Sequence, residues 1–126
     1  MSNLDFAKQM QARTKAFAVQ VIRFYGKLPK SEESRVLGRQ LLRSGTSVAA
    51  NYRAACRAKS DADFISKLGT VVEEVDETLF WLELLEESKV CTAPSLKEVK
   101  AEADELLPIF STSLNTARRN ALQSTH

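Results

Sequence analysis

The sequence contains few of the residues from which catalytic and metal sites are usually built. Its 126 residues include one histidine, His126, and two cysteines, Cys56 and Cys91, that lie far apart and form no CxxC pair. Ser/His pairs, Cys/His pairs and zinc sites therefore have too few candidate residues. No glycine-rich phosphate loop and no Glu-x-x-His motif is present. We expect a protein that is not an enzyme and uses no cofactor, metal or small-molecule substrate, with both thiols reduced.

Glycine and proline are also scarce, with four and three residues. Few positions interrupt the chain, so long helices are expected. No apolar run approaches the roughly 20 residues that span a bilayer, which predicts no membrane partner. The first residues lack the apolar segment of a secretory signal. We therefore expect a single domain over residues 1–126, located in the cytoplasm.

The sequence is rich in apolar residues at three- and four-residue spacing, which is the period of an amphipathic helix. The apolar stripes predict four helices, at about residues 3–26, 32–58, 61–88 and 96–119. Ser31, Ser60 and Ser95 precede the last three, and serine is a favoured N-cap residue. Four amphipathic helices with short connections predict an all-α, antiparallel, up-and-down four-helix bundle.

Two positions weaken the helical pattern. Gly45, followed by Thr46 and Ser47, costs about 1–2 kcal/mol of helix propensity relative to alanine. Either a kink or a close approach by a neighbouring backbone is expected there. Pro108 removes one backbone donor inside the fourth helix, so we expect a kink or a break at that position.

Charge is divided unevenly along the chain. The first 60 residues carry 12 Lys or Arg and three Asp or Glu, whereas the other 66 carry six and 13. On a continuous second helix, an arc of about 80° opposite the apolar face holds what we call the basic row: Arg35, Arg39, Arg43, Arg53 and Arg57. On the third helix, an arc of about 120° holds or borders what we call the acidic face: Glu73, Asp76, Glu77, Phe80, Trp81, Glu83 and Glu87.

Three interpretations of these two surfaces remain open. Both can be solvated helix faces. The exposed aromatic pair instead favours a protomer interface, because aromatic residues and arginine are enriched at interfaces. A head-to-tail contact between the basic row and the acidic face closes into a ring where the rotation allows it. Arginine forks also suit phosphate oxygens, so RNA or DNA is the alternative partner, although no base-reading motif is visible.

Three stretches resemble the bacterial four-helix-bundle family that is related to proteins encoded in intervening sequences of 23S ribosomal RNA: LPKSEE, QLLRSGTSVAANYRAACRAKSDADF and KLGTVVEEVDETLFWLELL. Ser47, Asn51, Phe64 and Glu77 stand where the family pattern places them. The resemblance covers about residues 6–114. It implies a left-handed bundle, a cytosolic bacterial protein and a homopentameric ring, with no established catalytic site.

A related bundle, the accessory protein of diversity-generating retroelements, resembles this fold and works with nucleic acid and a reverse transcriptase. Many relatives read Asn-Ile-Ala-Glu-Gly where this chain reads Asn51-Tyr52-Arg53-Ala54-Ala55, so a role that rests on the family acid or glycine does not carry over. Asn51 does carry over, and we interpret it as a structural amide bonded to a neighbouring helix or loop.

The sequence therefore predicts a non-catalytic bundle that assembles with copies of itself and whose ring scaffolds RNA or a protein partner. The alternative is an RNA- or DNA-binding accessory protein that uses the basic row.

Overall fold

The computed structural model describes residues 3–124. Four helices make up the chain: α1 (Asn3–Gly26), α2 (Glu32–Cys56), α3 (Asp61–Glu87) and α4 (Pro94–Ser124). Consecutive helices pack side by side and α4 returns to α1, while within the described residues the diagonal pairs meet only through core side chains such as Tyr52 and Phe110. This is the predicted antiparallel four-helix bundle, although its left-handedness stays a prediction. Residues 1, 2 and 125 and the single histidine, His126, lie outside the described part of the chain.

The helix starts follow the predicted caps at two of three positions. The Ser31 hydroxyl accepts a hydrogen bond from the Ser34 amide at 3.2 Å, and the Ser60 hydroxyl accepts one from the Asp63 amide at 3.1 Å. The expected cap at Ser95 is wrong, because α4 already begins at Pro94. Proline suits the first helical position, where its fixed φ is helical and its missing N–H would have no partner.

Helix ends depart further from the prediction. α2 ends at Cys56 rather than residue 58, and α4 continues to Ser124 rather than residue 119. Of the kink or break expected at Pro108, the break does not occur, because α4 runs through it, whereas the kink stays a prediction. Pro108 and Asp104 are both exposed residues, so water can replace the helical donor that the Asp104 carbonyl loses.

All four helices contribute to one apolar core. Its largest fully buried side chains include Phe17, Leu41, Leu82 and Phe110, and the predicted stripes supply nearly all of its members. Phe6 lies on the apolar stripe of α1 but is 37% exposed, because it lines an open cleft at that end of the bundle. No helix within residues 3–124 is long and apolar enough to cross a membrane.

Gly45 allows the closest contact between α1 and α2. It is buried within an unbroken α2, so the helix is not interrupted at this position, while a kink there stays a prediction. A Cβ atom at Gly45 would lie 2.9 Å from both Cγ atoms of Val21 and 3.2 Å from its Cβ. The sequence pattern therefore correctly indicated a close approach, but the approaching group is a valine side chain rather than a backbone.

The seam between α1 and α4 is held by a charged cluster. The Arg13 guanidinium donates to the two Glu102 carboxylate oxygens at 2.9 and 2.8 Å, and to Glu105 at 3.0 Å. The hydrogen bond from Arg13 lowers the pKa of Glu102, against the opposing effect of burial. Helices α1 and α4 pack less extensively than the other neighbouring pairs, and this cluster adds polar contacts between them.

Replacing Gly45 by alanine should destabilise the protein, by about 1–2 kcal/mol, because a β-branched valine in a helix has little rotameric freedom to move away. Gly69 is the matched control, since it also lies inside a helix but a Cβ there meets nothing within 4 Å. Gly69→Ala should stabilise by up to about 1 kcal/mol through helix propensity. Urea unfolding measures both changes, and equal stabilisation by the two variants would contradict the close contact.

Glu102→Gln should lower the free energy of unfolding at neutral pH by up to about 1 kcal/mol, because it removes a two-pronged, partly buried ion pair. The folded-state pKa of Glu102 is lowered, so its stabilisation is present above the unfolded pKa, about 4.3, and is lost as pH falls through the folded value. The difference from wild type should therefore vanish in acid. Glu105→Gln, at the more exposed carboxylate, should change stability less.

Urea unfolding at each pH measures this difference in the free energy of unfolding. If Glu102→Gln differs from wild type by the same amount at neutral and at acidic pH, this ion pair contributes nothing to the association of α1 and α4.

Candidate interaction site on helices α2 and α3

The basic row projects outward along α2, as predicted. All five arginines are exposed, and α2 continues without interruption from Glu32 past Gly45. Arg57 is the C-cap residue, directly after the last helical turn. The five guanidinium groups therefore lie along one outer side of the bundle.

The structure divides this row by the partners of its members. Arg35 contacts Glu32 of its own helix at 3.0 Å. Arg43 contacts Glu77 of α3 and lies 3.5 Å from Glu74. Within residues 3–124, the remaining three members pair with no carboxylate: Arg39, Arg53 and Arg57.

Arg43 bridges α2 and α3 inside one chain. Below it, the hydroxyl oxygens of Ser44 and Thr78 lie 3.0 Å apart in the buried interface, and Thr78 Oγ1 lies 2.7 Å from the Glu74 carbonyl oxygen. Of the seven predicted acidic-face residues, Glu77 is thus engaged within its own molecule. Glu74 was not selected from the sequence, yet the i, i+3 spacing with Glu77 could have placed both on the side facing α2.

The rest of the acidic face has no cationic partner in the described chain. Phe80 is 49% exposed. Around it lie four exposed carboxylates, none of which forms an ion pair with a residue in the range 3–124: Glu73, Asp76, Glu83 and Glu87. The prediction that this face projects into solvent is confirmed for these residues. It carries like charges at helical spacing, which is unfavourable without a counter-charge.

Trp81 lies at the edge of this face, half-buried against the core. Its ring meets Phe80 edge-on, with centroids 5.1 Å apart and planes at 69°. The Trp81 indole N–H is buried and has no acceptor among the described residues. Trp81 therefore packs against Phe80, and its own side chain is less exposed than the sequence predicted.

A basic groove runs between α1 and α2, beside the unpaired part of the row. We define it by its cationic rim, Lys15, Arg53 and Arg57, and by its floor of small side chains. It encloses about 600 Å³, and no carboxylate lines it. The floor consists of Ala12, Thr46, Ala49 and Ala50, with Gln11 at its edge. Lys15 was not predicted as a site residue, because only the packing of α1 on α2 brings it to Arg53.

Asn51 has a more local role than expected. Its amide donates a hydrogen bond to the Ser47 carbonyl at 2.9 Å, one turn back in the same helix. The expected bond to a neighbouring helix or loop is therefore wrong. A half-buried amide can satisfy one donor in this way without leaving α2.

A second cleft, of about 690 Å³, opens at the end of the bundle where Phe6, Tyr52, Cys56 and Phe64 meet. Burial raises the pKa of both the Tyr52 hydroxyl and the Cys56 thiol. The raised pKa disfavours the thiolate of Cys56, which is the nucleophilic form. Cys56 and Cys91 are both free thiols. No group of three or more potential metal ligands occurs in the part of the chain covered by the structure.

These features define a four-helix bundle whose distinctive outer surfaces are charged helix faces. Its sequence matches the family model of the 23S rRNA-intervening sequence protein over residues 8–112, which is most of the chain. The chain therefore belongs to the 23S rRNA-intervening sequence protein family, as the resemblance of its central stretches indicated.

A solved structure agrees with this assignment. The chain is similar to a protein with unknown function from the S23 ribosomal protein family of Bacteroides thetaiotaomicron VPI-5482, with 32% sequence identity and a TM-score of 0.79. The similarity covers 86% of this chain and 97% of that one. No curated protein matches the chain.

Proposed function

We propose that this protein is a non-catalytic, cytoplasmic bundle that assembles with copies of itself into a ring of five, and that the ring scaffolds RNA or a protein partner. The number five and the cytoplasmic location rest on the family resemblance. The scarcity of histidine and the absence of a nucleophilic pair in the sequence support a role without chemistry of its own.

The observation that carries the assembly is the acidic face around Phe80. A half-exposed phenylalanine ring is removed from water when another molecule covers it, and aromatic residues often dominate interface energetics. The four carboxylates beside it have no cationic partner in the residues that the structure describes. A covering surface with positive charge would relieve their mutual repulsion.

The second observation is that cations and carboxylates occupy different faces of the chain. Such a molecule can present its basic row to one neighbour and its acidic face to another. A contact between two different surfaces is heterologous and produces a ring when the rotation closes. A ring would also repeat the exposed arginines around its axis, which multiplies the contacts available to a phosphate backbone.

Light scattering after size exclusion measures the assembly directly. At micromolar concentration in moderate salt we expect five copies of the 14.0 kDa chain, about 70 kDa. A single monomeric peak under these conditions would overturn the proposed assembly.

A second candidate function is binding to RNA or DNA through the basic row. Arg39, Arg53 and Arg57 favour it, since they are exposed and have no carboxylate partner within residues 3–124. Guanidinium groups without an internal partner can contact phosphate without first breaking an ion pair.

Arg39→Gln should weaken nucleic-acid binding and flatten its salt dependence by about one unit of slope for each phosphate that Arg39 neutralises. Arg43→Gln is the matched control, because Arg43 is already occupied by Glu77 and Glu74. Titration of a fluorescent single-stranded RNA from 50 to 200 mM salt measures both slopes. Equal slopes for wild type and Arg39→Gln, or no binding at low salt, would exclude phosphate contact by this residue.

A further inference from the structure

We propose that the basic groove between α1 and α2 is the receptor for the acidic face of a second copy of this chain, with Phe80 of one copy seated on the alanine floor of the next. The inference rests on the proposed self-assembly and adds the surface through which it occurs. It differs from a simple pairing of the basic row with the acidic face, because Arg35 and Arg43 are excluded and Lys15 is included.

The charges of the two surfaces are complementary. Three cations form the rim of the groove, and no carboxylate is among its lining residues. Four carboxylates of the acidic face have no cationic partner in the described chain. Neither set forms an ion pair within the described chain, so neither has to give up an internal partner on contact. Complementary unpaired charges direct encounter and fix register.

The groove floor suits an aromatic ring. Ala12, Ala49 and Ala50 carry only methyl side chains, and they leave a depression of about 600 Å³ below the rim of long cations. The ring of Phe80 is the one large apolar group at the centre of the acidic face, where it is braced by Trp81. An aromatic anchor surrounded by polar contacts that exclude water is typical of an interface hot spot.

The lengths of the two surfaces also agree. At 1.5 Å per helical residue, the carboxylates from Glu73 to Glu87 extend over about 21 Å, and the groove from Thr46 to Arg57 extends over about 17 Å. One face of α3 therefore covers the groove from end to end, with charged groups on both sides of the ring.

The occupant of the groove must come from another molecule. Helices α1 and α3 lie diagonally across the bundle, and their backbones do not approach one another in the described part. The acidic face of a chain points away from the groove of the same chain, so the two surfaces can meet only between copies. The contact is therefore heterologous, as a ring requires.

Charge reversal tests the pairing in two separate variants. The first, Lys15→Glu with Arg53→Glu and Arg57→Glu, gives an acidic groove. The second replaces the four unpaired carboxylates with lysine: Glu73, Asp76, Glu83 and Glu87. Each variant presents like charges to its own copies, so each should be monomeric by light scattering, with unchanged helix content by circular dichroism.

An equimolar mixture of the two variants should restore assembly. Every contact then joins an acidic groove to a basic face or a basic groove to an acidic face. Complexes should contain the two variants in a 1:1 ratio, because opposite types must alternate. An odd-numbered ring cannot alternate throughout, so the mixture should form dimers or even-numbered assemblies in place of the wild-type pentamer.

The matched control reverses three exposed cations outside the groove: Lys27→Glu, Lys97→Glu and Arg118→Glu. It changes the net charge by the same amount as the acidic-groove variant. It should assemble as wild type does, which separates contact at the groove from a general effect of charge.

Phe80→Ala tests the anchor and leaves the charges intact. Because Phe80 is half exposed in the single chain, the variant should fold, while self-association should weaken by about 30-fold or more. Val36→Ala, at a valine of similar exposure on α2, should change self-association less than twofold.

The outcomes distinguish this inference from the proposed function. If wild type is a monomer, self-assembly itself fails. If wild type assembles and the acidic-groove variant assembles equally well, only the groove is wrong. If the mixture stays monomeric while the acidic-groove variant loses RNA binding that wild type shows, the groove binds a phosphate backbone and the inference is overturned.

Discussion

The close contact between α1 and α2 at Gly45 and Val21 is the constraint on which the surfaces of this protein depend. Because Gly45 has no side chain, α1 approaches α2 without interrupting it, and α2 stays continuous from Glu32 to Cys56. A continuous α2 keeps the basic row on one side. The same packing brings Lys15 of α1 beside Arg53 of α2, and so creates the basic groove.

A second consequence concerns the other side of α2. Arg43 and Ser44 join α2 to α3 through Glu77 and Thr78. This contact occupies one arginine of the row and leaves the carboxylates farther around α3 without partners. The distribution of occupied and unoccupied charges is therefore set by helix packing. It leaves charged groups without partners on the surface of one chain, and a neighbouring molecule of opposite charge can pair with them.

Most of the fold could be predicted from the sequence, because helical periodicity and serine caps are local signals. The predictions that failed involve competing effects. Pro94 begins α4 where Ser95 was expected to cap it, and Pro108 is tolerated because water can reach the carbonyl it exposes. Phe6 follows the apolar stripe, but it lines an open cleft at the end of the bundle, where its neighbours cover it only in part.

Only part of the candidate site could be predicted from the sequence. Periodicity places Arg39 and Phe80 on outward faces, yet it does not show that Arg43 pairs with Glu77, since this requires the register of α2 against α3. The sequence also predicted that the Asn51 amide bonds to a neighbouring helix or loop. The acceptor is instead the Ser47 carbonyl, one turn back in the same helix. Lys15 became a candidate only through the packing of α1.

The central claim is that the acidic face of one copy covers the basic groove of the next. A near-atomic structure of the assembled protein tests it most directly. We expect the Phe80 ring of one copy against Ala49 and Ala50 of its neighbour, with the carboxylates around it facing Lys15, Arg53 and Arg57. An assembly in which Phe80 remains exposed to water, or in which the groove is empty, would contradict it.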